Sequence, residues 1–371
     1  MRKDPYKSKE VFEKWLNSIA GKEEIEGLKK INSKLLISFI KDLRLGLNVS
    51  NASKKGERSF TRLNHLKQKL VFVLRKLEER EIYDARKASA KDLHSLFSDM
   101  RSGVIQTRTG TPYKSTGDYV KDFKTFWHWY QKVEKNKGNM ILDITEDLDT
   151  RGEKPKFVYF SKKDFENLLQ ESSYDLKPIL ALAFDSGMRA TELINTKVGD
   201  FSNNFGELNI RDEVSKTFGR RIKLVLCPNQ IKGYVEKMEL NQDDYLCRKN
   251  LSMINAELRK IGKKILNPEQ TKFKNLTLYA FRHSSACYWL PIYKSESGLK
   301  YRFGWKKSDM IHYYTELMGM KDTLKEEDLY VNITKTELEK EVIDLREELT
   351  FLKDSVKKLL NVAEAKGGNL T

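Results

Sequence analysis

The sequence predicts a mainly α-helical protein with a small antiparallel sheet in its second half. Apolar residues recur at helical spacing over residues 1–50 and 59–137, which indicates amphipathic helices. Two short segments, Glu207–Arg211 and Arg220–Leu226, have strand-like patterns and flank a polar turn, so they predict a hairpin. Near the C-terminus, apolar residues alternate between steps of four and three, which predicts a heptad helix.

The helical patterns are specific enough to place individual faces and ends. One face of the second helical region carries Leu63, Leu66, Leu70, Val73 and Leu77. We expect Ser89 and Ser161 to cap helices, and Gly187 to end an apolar helix over Pro178–Asp185. The aromatic-rich stretch over residues 123–130 is expected to pack in a helical core rather than to stack on bases.

The heptad helix consists of Leu338, Val342, Leu345, Leu349, Leu352, Val356 and Leu359. Charged residues fill most of the positions between them. This pattern predicts a short coiled coil that joins protomers, and the alternative is a single amphipathic helix packed on its own domain.

Changes in composition predict the domain boundaries. Residues 48–56 are polar, and residues 144–157 are charged and poor in apolar side chains, as is typical of linkers. The predicted organisation is an N-terminal helical segment over 1–55, a helical domain over 56–147, a linker over 148–158, a larger domain over 159–332, the coiled-coil helix over 333–363 and a disordered tail over 364–371.

The overall composition narrows the class of protein. Hydrophobic residues make up 39% of the 371 positions, which is enough for globular domains. No apolar run is long enough to span a membrane, and the charged first ten residues do not resemble a secretory signal. Cys227, Cys247 and Cys287 form no metal-ligand spacing, so we expect buried thiols in a reducing cytoplasm.

The charge balance suggests a partner. The net charge is +16 and the isoelectric point is about 9.4. A balance this basic indicates a polyanion, with nucleic acid as the first candidate and an anionic membrane surface as the second. The alternative is a solvated basic surface that binds neither.

Common catalytic motifs are absent from the sequence. It contains no phosphate-binding GxxxxGK[ST] loop, no GxGxxG, no HExxH and no GxSxG. The sequence therefore predicts neither ATP, nor a metal, nor any other cofactor.

Four separate segments carry residues that suit phosphate chemistry. In the first, Arg189 follows Gly187 at the start of a new helix, where backbone N–H groups and a guanidinium both favour an anion. Glu192 is three residues further along and could orient that guanidinium. In the second, Lys216 is expected on the hairpin turn, where it could serve as a mobile acid or be solvated.

The remaining two segments are closer to the C-terminus. Tyr279 and Arg282 are three residues apart on one predicted helical turn, and His283 follows directly. Trp305 follows Gly304, and Tyr314 comes nine residues after Trp305. Each segment alone has an ordinary structural explanation, such as a surface ion pair or core packing.

Taken in order, the four segments resemble the tyrosine recombinase family. The family pattern is Gly-(Leu/Met)-Arg-x-x-Glu-Leu, a hairpin lysine, His-x-x-Arg-His, Gly-(His/Trp) and a tyrosine nine residues later. This sequence supplies Gly187-Met188-Arg189 with Glu192-Leu193, Lys216, Tyr279 with Arg282-His283, Gly304-Trp305 and Tyr314. The resemblance covers residues 157–332, and the helical organisation over 59–147 is similar to the family's core-site DNA-binding domain. The N-terminal helices and the basic connecting segment over residues 54–62 look most like those of archaeal and archaeal-virus integrases.

The resemblance implies a site-specific DNA recombinase that needs no cofactor. Tyr314 would attack the scissile phosphate to form a 3′-phosphotyrosine, and Lys216 would protonate the leaving 5′-oxygen. Arg189 and Arg282 would stabilise the charge at phosphorus, and Trp305 would pack on the phosphate and hydrogen-bond it. Glu192 would hold the site in register. The implied partners are double-stranded DNA and three further copies of the chain, in a DNA-associated cytoplasmic protein.

The sequence departs from the family at Tyr279, where the pattern has a histidine that manages the nucleophile's proton. A phenol is a poor base near neutral pH, so proton removal is expected to be slower or to use other groups. We expect His283 to have a packing or supporting role, His312 to be peripheral and Tyr313 to face the core. Two other functions stay open: a DNA-relaxing enzyme like type IB topoisomerases, and a catalytically silent DNA-binding protein.

Overall fold

A computed structural model describes residues 4–50, 55–152, 159–265, 273, 275–293 and 295–318, with isolated positions at 345, 349 and 353. The chain divides between residues 157 and 158 into two compact units. Apart from those three positions, the predicted coiled coil over 333–363 and the tail over 364–371 lie outside the described residues. No helix in the described residues is long and apolar enough to cross a membrane.

The first unit is helical. Its α-helices in the described range are α1 (Ser8–Ile19), α2 (Lys30–Leu45), α3 (Phe60–Glu78), α4 (Ala90–Ser102) and α5 (Thr116–Asn136). Ser89 accepts a hydrogen bond from the Asp92 amide, and the Asp92 carboxylate accepts one from the Ser89 amide, so the predicted cap is confirmed as a capping box.

One hydrophobic core runs through this unit. Leu36 and Phe39 of α2 are fully buried with Leu70 of α3 and with Phe123 and Phe126 of α5. The prediction that the aromatic stretch over residues 123–130 packs in a helical core is therefore confirmed. Residues on both sides of position 55 share this core, so the structure shows no separate core for residues 1–55.

The second unit combines helices with a small sheet. Its described α-helices are α6 (Lys162–Gln170), α7 (Lys177–Ser186), α8 (Ala190–Leu193), α9 (Pro228–Lys237), α10 (Leu251–Ile265), α11 (Leu278–Trp289), α12 (Glu296–Phe303) and α13 (Asp309–Met318). Ser161 begins α6 with a capping box, as predicted. All three cysteines are buried, which agrees with the expectation of buried thiols.

The sheet has the strand order β1 (Phe201–Ser202), β2 (Glu207–Ile210) and β3 (Arg220–Lys223), with antiparallel pairs throughout. The predicted hairpin is confirmed, but the second strand was expected to continue to Leu226. It ends at Lys223 because the amides of Val225, Leu226 and Cys227 donate to the Asp185 carboxylate instead of to a neighbouring strand.

The turn after α7 connects the core to the second half of the unit. Gly187 ends α7 as predicted, with φ of +61° in the left-handed region. A Cβ atom placed on Gly187 would lie 2.1 Å from Cε1 of Phe303 and 2.8 Å from the Ser285 hydroxyl. Both the backbone conformation and the close approach of α12 therefore require glycine here.

We predict that Gly187→Ala lowers the free energy of unfolding by about 2–5 kcal/mol, the sum of left-handed strain and overpacking. Chemical denaturation of the full chain measures this loss. Gly233→Ala is the matched control, because Gly233 lies inside α9 and its added Cβ would meet nothing within 4 Å. In that variant the free energy of unfolding should rise by up to about 1 kcal/mol. Equal effects at the two glycines would contradict this account of the turn.

Candidate active site

Arg189 is the first basic group of the site. It lies at the N-cap of α8, and its side chain is 20% exposed. Its Nη1 donates to Oε1 of Glu192 at 3.1 Å, and its Nη2 donates to the carbonyl oxygen of Gly304 at 3.1 Å. The Arg189 amide also donates to Oε2 of Glu192 at 2.9 Å. The predicted pairing of Arg189 with Glu192 is therefore present.

Arg282 enters the same region from α11. Its Nη1 donates to the Gly187 carbonyl oxygen at 2.6 Å and its Nη2 to the Phe303 carbonyl oxygen at 2.7 Å. The two arginines thus hold the end of α7 and the end of α12 together through successive carbonyl groups. Burial and the charge of Arg189 lower the pKa of Arg282 to about 10, so it stays cationic at neutral pH.

Glu192 and Arg220 form a buried ion pair beneath the two arginines. Nη2 of Arg220 lies 3.0 Å from Oε2 of Glu192, and both side chains are 0% exposed. Nε of Arg220 donates to the Arg302 carbonyl oxygen at 2.8 Å, and the Ser215 hydroxyl donates to Glu192 at 3.1 Å. Burial opposes ionisation of Glu192, but Arg220 and the Arg189 amide outweigh it and lower its pKa to about 2.

The charges of these four residues do not cancel. Arg189 and Arg220 pair with the one carboxylate of Glu192, and Arg282 adds a third guanidinium close enough to feel its charge, so two of the three positive charges are uncompensated within this group. A phosphodiester carries one negative charge, and the transition state of its attack by an oxygen anion carries two. The excess therefore matches the charge that develops at phosphorus.

Lys216 lies in the turn between β2 and β3 and is exposed, as predicted. Its neighbour Thr217 donates to the Gly304 carbonyl oxygen at 3.0 Å and accepts from Arg189 Nη1 at 3.4 Å. The turn is thus fixed at the edge of the arginine pair. The backbone that carries Lys216 therefore lies beside the site.

Tyr314 of α13 is 1% exposed and packs against the rings of Trp305 and His283. Its ring stacks on Trp305 at 5.6 Å between centroids, and Trp305 stacks in turn on Phe303 at 4.7 Å. The Trp305 ring centroid is 5.9 Å from the Arg282 guanidinium carbon. The predicted nine-residue step from Trp305 to Tyr314 therefore brings the phenol to the arginines.

The Tyr314 hydroxyl is hydrogen-bonded to Nδ1 of His283 at 2.6 Å, within the buried region. Burial raises the pKa of Tyr314 well above its usual value, and Arg282 opposes that shift. Burial and the charge of Arg282 lower the pKa of His283 to about 4, so the imidazole is neutral at physiological pH.

The structure changes the expectations for the neighbouring residues. Tyr313 was predicted to face the core, and this is wrong: Tyr313 is half-buried, whereas Tyr314 is the buried tyrosine because Trp305 and His283 enclose it. Tyr279 is 55% exposed and places its ring edge-on to His283 at 4.5 Å. His312 is exposed on α13, consistent with a peripheral position.

Arg220 is the site residue that was not predicted. It was treated only as the first residue of a strand. Its position in the strand indicates that its side chain is buried, because Arg220 and the buried Ile222 are two residues apart and so point to the same face of the sheet. A charged side chain on a buried strand face requires a partner of opposite charge, which here is Glu192.

Comparisons with known proteins give the fold. Neither the family models nor the curated proteins contain a match to this sequence. Among solved structures, it is similar to a lambda integrase dimer bound to a COC′ core site, with a TM-score of 0.56, 14% identity, and coverage of 78% of this chain and 96% of the other.

A Tn1549 transposon integrase in complex with circular intermediate DNA gives a TM-score of 0.55 at 12% identity, covering 76% and 94% of the two chains. A lambda integrase tetramer bound to a Holliday junction gives 0.55 at 15% identity, covering 81% and 79%. The chain therefore has the fold of tyrosine recombinases. In the part of the chain that the structure describes, no three His, Cys, Asp or Glu residues are grouped to hold a metal ion.

We predict that Glu192→Gln destabilises the protein by about 3–5 kcal/mol, because it leaves the buried Arg220 charge without its partner. The pKa of Glu192 is about 2, below the ordinary value of 4.5, so its contribution is present above pH 4.5 and is lost as the pH falls toward 2. In denaturation experiments, the difference in the free energy of unfolding between wild type and variant should therefore decrease as the pH falls over that range.

Glu213→Gln is the matched control, since Glu213 pairs with Arg211 while its side chain is 60% exposed. Glu213→Gln should lower the free energy of unfolding by at most about 1 kcal/mol. A loss at Glu192 no larger than that at Glu213 would show that the buried pair is not what holds the site.

Proposed function

We propose that this protein is a site-specific DNA recombinase that cuts and rejoins DNA through a 3′-phosphotyrosine at Tyr314. The observation that carries the proposal is the group of Arg189, Arg220, Arg282 and Glu192, with two uncompensated positive charges beside a buried tyrosine. The tyrosine recombinase fold supports it. The DNA in the neighbouring structures, a core site, a circular intermediate and a Holliday junction, indicates the class of substrate.

The proposed reaction assigns one task to each group. Arg189 and Arg282 exchange their carbonyl contacts for the non-bridging oxygens of the scissile phosphate, and Trp305 packs against that phosphate and hydrogen-bonds it. Oη of Tyr314 attacks phosphorus, and the ammonium group of Lys216 donates a proton to the leaving 5′-oxygen. The phosphotyrosine retains the energy of the broken diester bond, so rejoining needs no ATP.

The helical unit before residue 157 would bind DNA around the cleavage site, and the net charge of +16 supports this. Strand exchange would join four copies of the chain on DNA, in a cytoplasmic protein of an archaeal or archaeal-virus mobile element. The substrate is two duplexes, so one copy alone cannot complete the reaction.

The heptads after Leu338 would help to join the copies of the chain. We predict that truncation after Ile333 lowers the oligomeric state measured by light scattering on a DNA substrate. The catalytic residues precede the cut, so covalent cleavage of DNA should survive and serves as the folding control. An unchanged mass would favour a helix that packs on its own domain.

For the reaction itself, we predict that a nicked suicide duplex traps a covalent protein–DNA adduct, because the released strand diffuses away and rejoining is blocked. Tyr314→Phe should abolish the adduct while leaving the affinity for DNA unchanged, since it removes only the attacking oxygen. Denaturing gels measure the adduct, and fluorescence anisotropy measures the affinity.

Tyr313→Phe is the matched control on the same helix and should retain the adduct. The reverse result, loss in Tyr313→Phe and survival in Tyr314→Phe, would overturn the assignment. If no adduct forms on any duplex that the wild type binds, the protein is a silent DNA-binding protein. An adduct with relaxation but no exchange would indicate a topoisomerase.

A further inference from the structure

His283 has a contact with the proposed nucleophile that a packing residue does not need. Its Nδ1 lies 2.6 Å from Oη of Tyr314, which is within the short range of hydrogen bonds between a phenol and an imidazole. His283 is 4% exposed and Tyr314 is 1% exposed, so bulk water has little access to this bond. The attacking oxygen must lose its proton, and this nitrogen lies directly on the path.

We infer that His283 is the general base that removes the proton from Tyr314, in the place where the family pattern would use the residue at position 279. The inference rests on the proposed function and assigns a catalytic role to a residue that the sequence placed only in support. In the step, the Oη–P bond forms as the proton moves from Oη to Nδ1. The P–O5′ bond breaks, and O5′ takes a proton from Nζ of Lys216.

The structure favours His283 over Tyr279 for this task. Tyr279 is 55% exposed, and it contacts His283 through its ring edge at 4.5 Å between centroids. A phenol at this position accepts protons poorly near pH 7, whereas a neutral imidazole has a free lone pair on one nitrogen. Tyr279 therefore covers the imidazole, and the imidazole contacts the nucleophile.

The electrostatics of the site set when the base can act. Burial and Arg282 keep the pKa of His283 at about 4, so the imidazole is neutral and able to accept a proton before DNA binds. The bound phosphate adds a negative charge next to Arg282 and offsets the arginine's effect on the imidazole. The basicity of His283 thus increases once the substrate is in place. The role requires the tautomer with the proton on Nε2, so that Nδ1 accepts from the phenol.

The first test is His283→Asn in the suicide-duplex assay with the full-length protein. Asparagine keeps a polar atom near the position of Nδ1 but cannot take up a proton. We expect adduct formation to slow by about 10²–10⁴-fold, with unchanged DNA affinity and melting temperature. His312→Asn, at the exposed histidine of the same helix as Tyr314, should react at the wild-type rate. A wild-type rate for His283→Asn would overturn the inference.

The second test separates the two proton transfers. A duplex with sulfur in place of the bridging 5′-oxygen has a leaving group that needs no protonation. It should restore cleavage by Lys216→Ala but not by His283→Asn, because the phenol must still lose its proton. Equal restoration of both variants would place His283 on the leaving-group side and would also overturn the inference.

If His283→Asn does not fold, His283→Ala with added imidazole takes its place. Imidazole should restore the adduct, and pyrazole, a weaker base of similar shape, should not; restoration by both would assign a space-filling role to the ring. The wild-type protein is run in every assay. Failure of the wild type to form an adduct contradicts the proposed function, whereas failure confined to these comparisons contradicts the role of His283.

Discussion

The buried pair of Glu192 and Arg220 is the interaction on which the rest of the site depends. A carboxylate without solvent is stable as an anion only when several donors reach it, and Glu192 accepts from Arg189, Arg220 and Ser215. These donors come from α8, β3 and the turn between β2 and β3. One carboxylate therefore fixes the position of the sheet relative to the helix that carries Arg189.

The same arrangement explains how three guanidiniums can share a small volume. Carbonyl groups of Gly187, Phe303 and Gly304 accept hydrogen bonds from Arg189 and Arg282. Neutral acceptors satisfy the N–H groups but leave the net charge in place. A phosphate that enters the site can thus meet donors that are already oriented, which reduces the reorganisation required during the reaction.

Much of this site could be predicted from the sequence, because its parts are set by local rules. Gly187 ends a helix, Arg189 begins the next one, and the nine residues from Trp305 to Tyr314 cross only a short connection into α13. These residues meet because short elements on either side carry them to the same place. The aromatic stretch of the first unit was predictable for a similar reason, since its period matches one buried helix face.

The contacts that could not be predicted join residues far apart in the chain. Arg220 donates to the carbonyl oxygen of Arg302, and the amides after β3 donate to Asp185 instead of to a neighbouring strand. The burial of Tyr314 rather than Tyr313 depends on the Trp305 ring, and the contact between His283 and Tyr314 joins α11 to α13. The strand register of Arg220 indicates that its side chain is buried, but the partner of each of these residues is decided by packing between distant segments.

The identity of the nucleophile is the central claim, and peptide mapping of the trapped adduct tests it most directly. After nuclease digestion, trypsin should release the peptide 308–321, which contains both Tyr313 and Tyr314. Fragmentation by tandem mass spectrometry should place the residual 3′-nucleotide on Tyr314. A nucleotide on Tyr313, on Tyr279 or on a serine would contradict the account.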